Sequence, residues 1–337
     1  MQFQLPIQVK EPEEKISYRH KILLTGSCFT KHIGTSLEDL KFSVLQNPTG
    51  ILFDPLSVCN SLISYIHPKQ FSEADLFYLN ELWHSWHHHS RYSHIEKESC
   101  IIHINESQKK AHEFLKEADW LIITLGSSFS YRLTEEADKA NMKAGVGVAN
   151  CHRAPAKWFE KHLLAIDEII SNLESCYQQL LQFNSKLKIV FTISPVRHVR
   201  DGVVENNRSK ARLLEAVHRM VESSKPIYYF PAYELVIDVL RDYRFYDIDL
   251  VHPNYMATEF VLEKFAATFI EPNAMELMEE LRKIVIARKH KPFQSKTKAH
   301  KEFLLAHAEK SKILIKKYPF LDLQEELNYF TAVSETL

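Results

Sequence analysis

The chain has 337 residues, 45% apolar and 25% charged, the profile of a soluble globular protein with room for a sizeable core. Its 42 basic and 43 acidic residues leave a formal net charge of −1, so charge gives no reason to expect nucleic acid or an anionic membrane as partner. No apolar run approaches the roughly 20 residues of a membrane span. The N-terminus has no basic start followed by an apolar stretch, so no signal peptide is expected. Cys28, Cys59, Cys100, Cys151 and Cys176 are odd in number and scattered, with no C-x-x-C pair. They read as reduced thiols of a cytoplasmic protein.

Strand-length apolar runs are expected at Lys21–Thr25, Phe42–Leu45, Trp120–Leu125, Leu187–Ile193 and Ile227–Phe230. Helical patterns lie between and after them, at Cys28–Leu40, Pro55–Ile66, Lys157–Phe183, Asn207–Val221, Ala232–Leu240 and Tyr255–Phe269. The alternation predicts an α/β fold, with a parallel sheet of about five strands between two helical layers. One domain is expected over 1–270, interrupted at about 67–103 by an insertion rich in His and aromatic residues. Residues 271–337 read as a helical extension, with amphipathic patterns at Asn273–Lys291 and Ala299–Tyr318. These helices pack on the core or form a homo-oligomer contact.

Only 7 glycines occur, about 2% of the chain, so each is a candidate for a place where only glycine fits. Gly26, Gly50 and Gly126 fall at or just beyond strand C-terminal ends. In an open parallel sheet that edge is where ligands bind.

Directly after Gly26 comes Ser27, at a strand-to-helix junction. A helix N-terminus offers free N–H donors and partial positive charge, which suit an alkoxide or a tetrahedral oxyanion. The same position suits a plain N-cap serine. A serine nucleophile needs a base. Asp249 and His252 are three residues apart and precede Pro253 at the start of the last helix of the α/β region. That spacing lets the carboxylate reach Nδ1 and leaves Nε2 for the nucleophile. Cys28 lies one residue further into the helix, turned about 100° away, and reads as a small buried hydrophobe.

The segments TGSCF, NPTGILFDP, TLGSSFSYR, NCHRAP, SPVRH and HPN, in that order, resemble the GSCFA family, grouped with the SGNH (GDSL-like) hydrolases. The resemblance spans about 23–269. It implies a flavodoxin-like three-layer fold and a Ser27–His252–Asp249 triad, with backbone N–H groups of Ser27 and Gly50 in the oxyanion hole. The wider SGNH pattern has G-x-N-D where this chain has Gly126-Ser127-Ser128-Phe129. The asparagine arm is therefore missing, and Asn150 is the first candidate to replace it, with Ser128 as the other.

Arg197 and His198 end the fourth strand and are expected at the crevice rim. There a guanidinium suits a carboxylate or phosphate, or a structural pair with Asp201 or Glu205. Ser128, His152, Trp86 and His87 complete the expected substrate-facing set. His84, His87, His88, His89, His94 and His103 crowd the insertion. Their spacing lacks a helical H-x-x-x-H with Glu and has no nearby cysteines, so no metal is expected and a lid or edge hairpin is preferred. No cofactor motif is present.

The expected activity is hydrolysis of a carboxylic ester, with an O-acetyl group on a carbohydrate or small metabolite as the candidate. The alternatives are an acyltransferase with the same triad, or a degenerate scaffold that binds without catalysis.

Overall fold

A computed structural model describes residues 5–138, 143–223 and 226–335. The first half-unit runs β1 (Lys21–Gly26), α1 (Cys28–Asp39), β2 (Ser43–Gln46) and α2 (Pro55–Ile66). The insertion contributes the hairpin β3 (Phe77–Leu79) and β4 (Leu82–His84), followed by α3 (Lys97–Glu117). After β5 (Trp120–Leu125) come β6 (Phe129–Leu133), the short α4 (Glu135–Asp138), β7 (Gly147–Val148) and β8 (Phe159–Leu163). The chain continues through α5 (Ile166–Phe183), β9 (Lys188–Ile193), α6 (Val203–Ser223), β10 (Ile227–Phe230) and α7 (Ala232–Glu234), which runs into a π-helical turn at Leu235–Leu240. Four helices follow: α8 (Tyr255–Phe269), α9 (Pro272–Lys289), α10 (Lys298–Lys317) and α11 (Gln324–Glu335).

The main sheet has the order β10-β9-β5-β1-β2, and every pairing is parallel. Its strands alternate between two cores, as the two-residue period of a strand requires. Ile22, Leu24, Trp120, Ile122 and Val190 pack with α1 and α8 on one face. Leu23, Leu121, Ile123, Ile189 and Phe191 pack with α2, α5 and α6 on the other. This is the expected three-layer α/β/α fold.

The segment read as one helix over Lys157–Phe183 divides. Phe159–Leu163 forms β8, antiparallel to β6 with Phe129 opposite Leu163, and the helix begins only at Ile166. The sequence pattern gives no helix before β5, but the structure has one. There α3 buries one narrow stripe, Cys100, Ile104, Gln108, Ala111 and Leu115, in an otherwise polar segment.

The C-terminal helices share the core of the first face: Leu277, Leu281, Leu304 and Phe330 belong to the same apolar cluster as Ile33 and Phe265. Lys289 pairs with Asp39 at 2.6 Å and Lys41 with Glu326 at 2.8 Å, tying α9 and α11 to the end of α1. Among the described residues no helix is long and apolar enough to cross a membrane.

Candidate active site

The sheet edge at the strand C-termini is assembled around glycines. Gly26 has φ +137°, and a Cβ there would lie 2.1 Å from the carbonyl oxygen of Thr124 on β5. Any side chain would therefore push β1 and β5 apart. Ser27 follows as the N-cap of α1, its Oγ accepting the Phe29 N–H at 3.3 Å. The capping role is thus present, and it places the hydroxyl at the positive end of a 12-residue helix. Ser27 is only 2% exposed.

Gly126 is where four segments meet. A Cβ at this position would lie 2.9 Å from Phe53 Cβ, 3.1 Å from His198 Nε2 and 3.4 Å from Ser27 Cβ. The Phe53 carbonyl accepts the N–H groups of Gly126 at 2.8 Å and Ser127 at 3.2 Å. Asn47 holds the start of the same loop against β1 by accepting the Gly26 N–H at 2.9 Å.

Asp249 and His252 are joined as their spacing suggested. His252 Nδ1 lies 2.6 Å from Asp249 Oδ2, and Asp249 Oδ1 accepts the N–H groups of Val251 at 2.9 Å and His252 at 3.0 Å. The backbone N–H of His252, then its ring, hold the Asp249 carboxyl down at about 2. Arg197 pins this loop: its N–H donates to Val251 O at 3.2 Å and its Nη1 to Leu250 O at 3.1 Å. The guanidinium lies over the rings of Tyr246 and Tyr243, 4.1 and 5.1 Å from their centroids. The pair expected with Asp201 or Glu205 is not formed, since those carboxylates hold Lys161 and Arg208. Asn254 caps α8, so Pro253 lies just ahead of the helix and not in its first turn.

His198 follows Arg197 and turns inward. Its N–H donates to Asn206 Oδ1 at 2.8 Å, and its Nε2 is buried without a hydrogen-bond partner. Burial, then the positive charge of Lys210, lowers its pKa to about 3, so the ring is neutral.

Lys210 was not singled out from the sequence. It lies on α6, 1% exposed, and its Nζ donates to the carbonyls of Gly126 and Ser194, each at 2.6 Å. It forms no salt bridge among the described residues, and burial lowers its pKa to about 7. The available signal was a lysine in the apolar stripe of a helix, beside Leu213, Ala216 and Val217.

Several expected substrate contacts have other partners. Ser128 is fully buried, its N–H donating to Ser209 Oγ at 2.7 Å and its Oγ to Ser209 O at 3.1 Å, which fastens β6 to α6. Asn150 Oδ1 accepts the His152 N–H at 2.8 Å and so caps a turn. His152 is buried against the Ser85 carbonyl, 2.9 Å from its Nε2. Trp86 is buried, stacked on Phe77 with centroids 3.7 Å apart, in a small core that the insertion shares with Leu133 of β6 and Val148 of β7. His87 is exposed and lines a cavity behind the Thr49–Asp54 loop. The expected oxyanion N–H groups are also engaged: that of Ser27 with Thr124 O at 3.0 Å, that of Gly50 with Asn47 O at 2.8 Å. Burial raises the pKa of Cys28, so it remains a thiol. No group of three or more potential metal ligands occurs among the described residues.

Comparison with known proteins adds the following. A family model described as the GSCFA family matches residues 21–265, and one described as the GSCFA domain protein, C-terminal domain, matches residues 281–333. No curated protein matches. Similar solved structures include a carbohydrate esterase family 3 protein from Talaromyces cellulolyticus, at 8% identity and a TM-score of 0.36, covering 77% of this chain and 99% of that one. Another is an acetyl esterase mutant with acetate ion, at 9% identity and a TM-score of 0.36, covering 78% of this chain and 99% of that one. Likeness at that level carries nothing about activity. The family match spans most of the α/β region, and the chain belongs to the GSCFA family.

Proposed function

We propose that the chain is a serine hydrolase that cleaves a carboxylic ester, with Ser27 as nucleophile, His252 as base and Asp249 as the carboxylate that orients it. One observation carries this reading: Ser27 and His198 converge on Gly126, and Arg197, next to His198, pins the bonded Asp249–His252 loop. Asp249 fixes the tautomer with the proton on Nδ1, leaving Nε2 of His252 to accept the serine proton. Attack by Ser27 Oγ forms a tetrahedral oxyanion. The leaving alcohol takes the proton back from His252, and water activated by the same ring then releases the acid.

His198 is a better candidate for an oxyanion donor than Asn150, the backbone N–H groups of Ser27 and Gly50 being bonded elsewhere. Its ring is neutral, its Nε2 is unpaired, and it borders the same glycine as Ser27. A preorganised donor in a dry site is among the strongest contributions to such catalysis. The candidate substrate is an O-acetyl ester of a carbohydrate or small metabolite.

The test is intact mass after treatment with a fluorophosphonate probe, on wild type, Ser27→Ala and Cys28→Ala. One adduct on wild type and Cys28→Ala, absent from Ser27→Ala, is expected. An unlabelled wild type would overturn the assignment of an activated Ser27.

A further inference from the structure

Behind the loop that faces Ser27 lies a cavity of about 260 Å³. Its walls come from α2, β6, the insertion and Gly147–Ala149. At this size it is slightly below the range of about 300–1,000 Å³ typical of small-molecule sites, which fits one ring rather than a chain. Phe53 separates the two compartments: its carbonyl is bonded to Gly126 on the active-site side, and the next residue, Asp54, lines the cavity.

The residues that line the cavity are mostly polar by type but present mostly apolar surface, and their cations are paired. Ser57, Asn60, Ser61 and Ser64 form one stripe along α2, whose opposite face supplies Val58 and Leu62 to the core. The hydroxyl protons of Ser61 and Ser64 are already donated, to Val58 O at 2.9 Å and Ser61 O at 2.7 Å. What these serines still offer is acceptor lone pairs. The two lining cations have carboxylate partners outside the wall: Lys69 with Asp75, and Arg132 with Glu168 at 3.7 Å. Asp54 is itself committed to the Ser57 N–H at 3.0 Å.

Two of the residues lining the cavity also hold polar atoms without any partner. His88 is 1% exposed and its Nε2 is unpaired; Ser130 is 4% exposed and its Oγ is unpaired. Both atoms are closed off as the side chains stand, so a ligand in the cavity reaches them through a small shift of His88 and Ser130; buried polar groups are nearly always satisfied, so such orphans ask for a partner. Phe71 and Tyr131 add aromatic surface to the same wall. Acceptor lone pairs, an imidazole, an amide and aromatic faces, with both cations paired and the one carboxylate, Asp54, turned to the N-terminus of its own helix, match a ligand that presents many hydroxyls and an apolar ring face.

We propose that this cavity binds one small neutral polyol ring, in a site separate from the Ser27 edge. Binding needs no covalent step and does not depend on the hydrolase reading. The test is saturation-transfer NMR and calorimetry on the full chain, wild type and Ser27→Ala, with D-xylose, D-glucose and myo-inositol as neutral probes. Gluconate and glucose 6-phosphate serve as charged ones. At least one neutral ring should bind both proteins equally, in the millimolar range, and more tightly than either anion. Ser130→Ala and His88→Phe should each weaken it about 3- to 10-fold, the loss of one hydrogen bond. Asn60→Ala, at an exposed position, provides a variant whose folding is not at stake. No binding by the neutral rings, preference for the anions, or affinity unchanged in all three variants would overturn the proposal and leave the cavity to water.

Discussion

Lys210 Nζ sits 2.6 Å from the carbonyl oxygen of Gly126, the residue on which Ser27 and His198 converge. The same ammonium holds Ser194 O at 2.6 Å, so one buried side chain fixes the ends of β5 and β9 together. A buried charge without an opposite partner is costly, and its retention under the candidate site suggests a positioning role.

Lys210→Met is therefore expected to fold and to react with the fluorophosphonate probe about 10²-fold more slowly, the scale of a small misplacement of reacting groups. It should also change the pH dependence of stability. The native pKa is about 7 and the unfolded one 10.5, so between those values the unfolded chain binds more protons. Wild-type stability should then rise with pH across that window, by up to about 1.4 kcal/mol per unit. The cost of burying the charge is fully present below about pH 7. Urea midpoints at pH 7 and pH 10 measure this. A Met variant that keeps the wild-type rise would remove Lys210 from the account.

Two of the three strand-end glycines, Gly26 and Gly126, should fail differently. At Gly26 a Cβ meets backbone, Thr124 O at 2.1 Å, under a φ of +137°. Gly26→Ala is expected not to accumulate as folded protein. At Gly126 the obstacles are side chains, Phe53 and His198, with contacts of 2.9 and 3.1 Å. Gly126→Ala should fold with a loss of about 1–3 kcal/mol, the usual cost of overpacking, and with much reduced labelling of Ser27. Circular dichroism and labelling rate separate the two cases. Normal labelling of Gly126→Ala would mean that His198 and Ser27 need not be held this closely.

Much of this arrangement was legible in the chain, for physical reasons. The three central strands, β1, β5 and β9, are near-continuous apolar runs because both faces are buried, whereas edge strand β2 keeps an exposed serine and a glutamine at its ends. Gly26-Ser27 and Asp249-x-x-His252 are local patterns, and local geometry decides them. What could not be read depends on contacts distant in sequence. Nothing near Phe159–Leu163 announces its pairing with Phe129–Leu133, so the sequence there reads as helix. Trp86 could be seen as an aromatic but not as the partner of Phe77. Asn150 is a competent donor by type, yet only the fold shows its oxygen bound to the His152 N–H. The position of His198 at a strand end places it at the rim, but its inward turn and unpaired Nε2 depend on the fold.

Asp54 gives a prediction of opposite sign to Lys210. It caps α2 by accepting the Ser57 N–H at 3.0 Å, yet burial raises its carboxyl pKa from 3.8 to about 6. Between those values the native state binds more protons than the unfolded chain, so stability contributed at low pH is lost as pH rises through the window. Above about pH 6 the fold carries an ionised carboxylate in a buried position. Asn at this position retains the capping oxygen without the charge. Asp54→Asn should therefore match wild type near pH 4 and exceed it at pH 7.5 by about 1–3 kcal/mol. Urea unfolding at the two pH values checks it. A variant weaker than wild type at pH 7.5 would show that the carboxylate's attraction to the α2 N-terminus outweighs its desolvation.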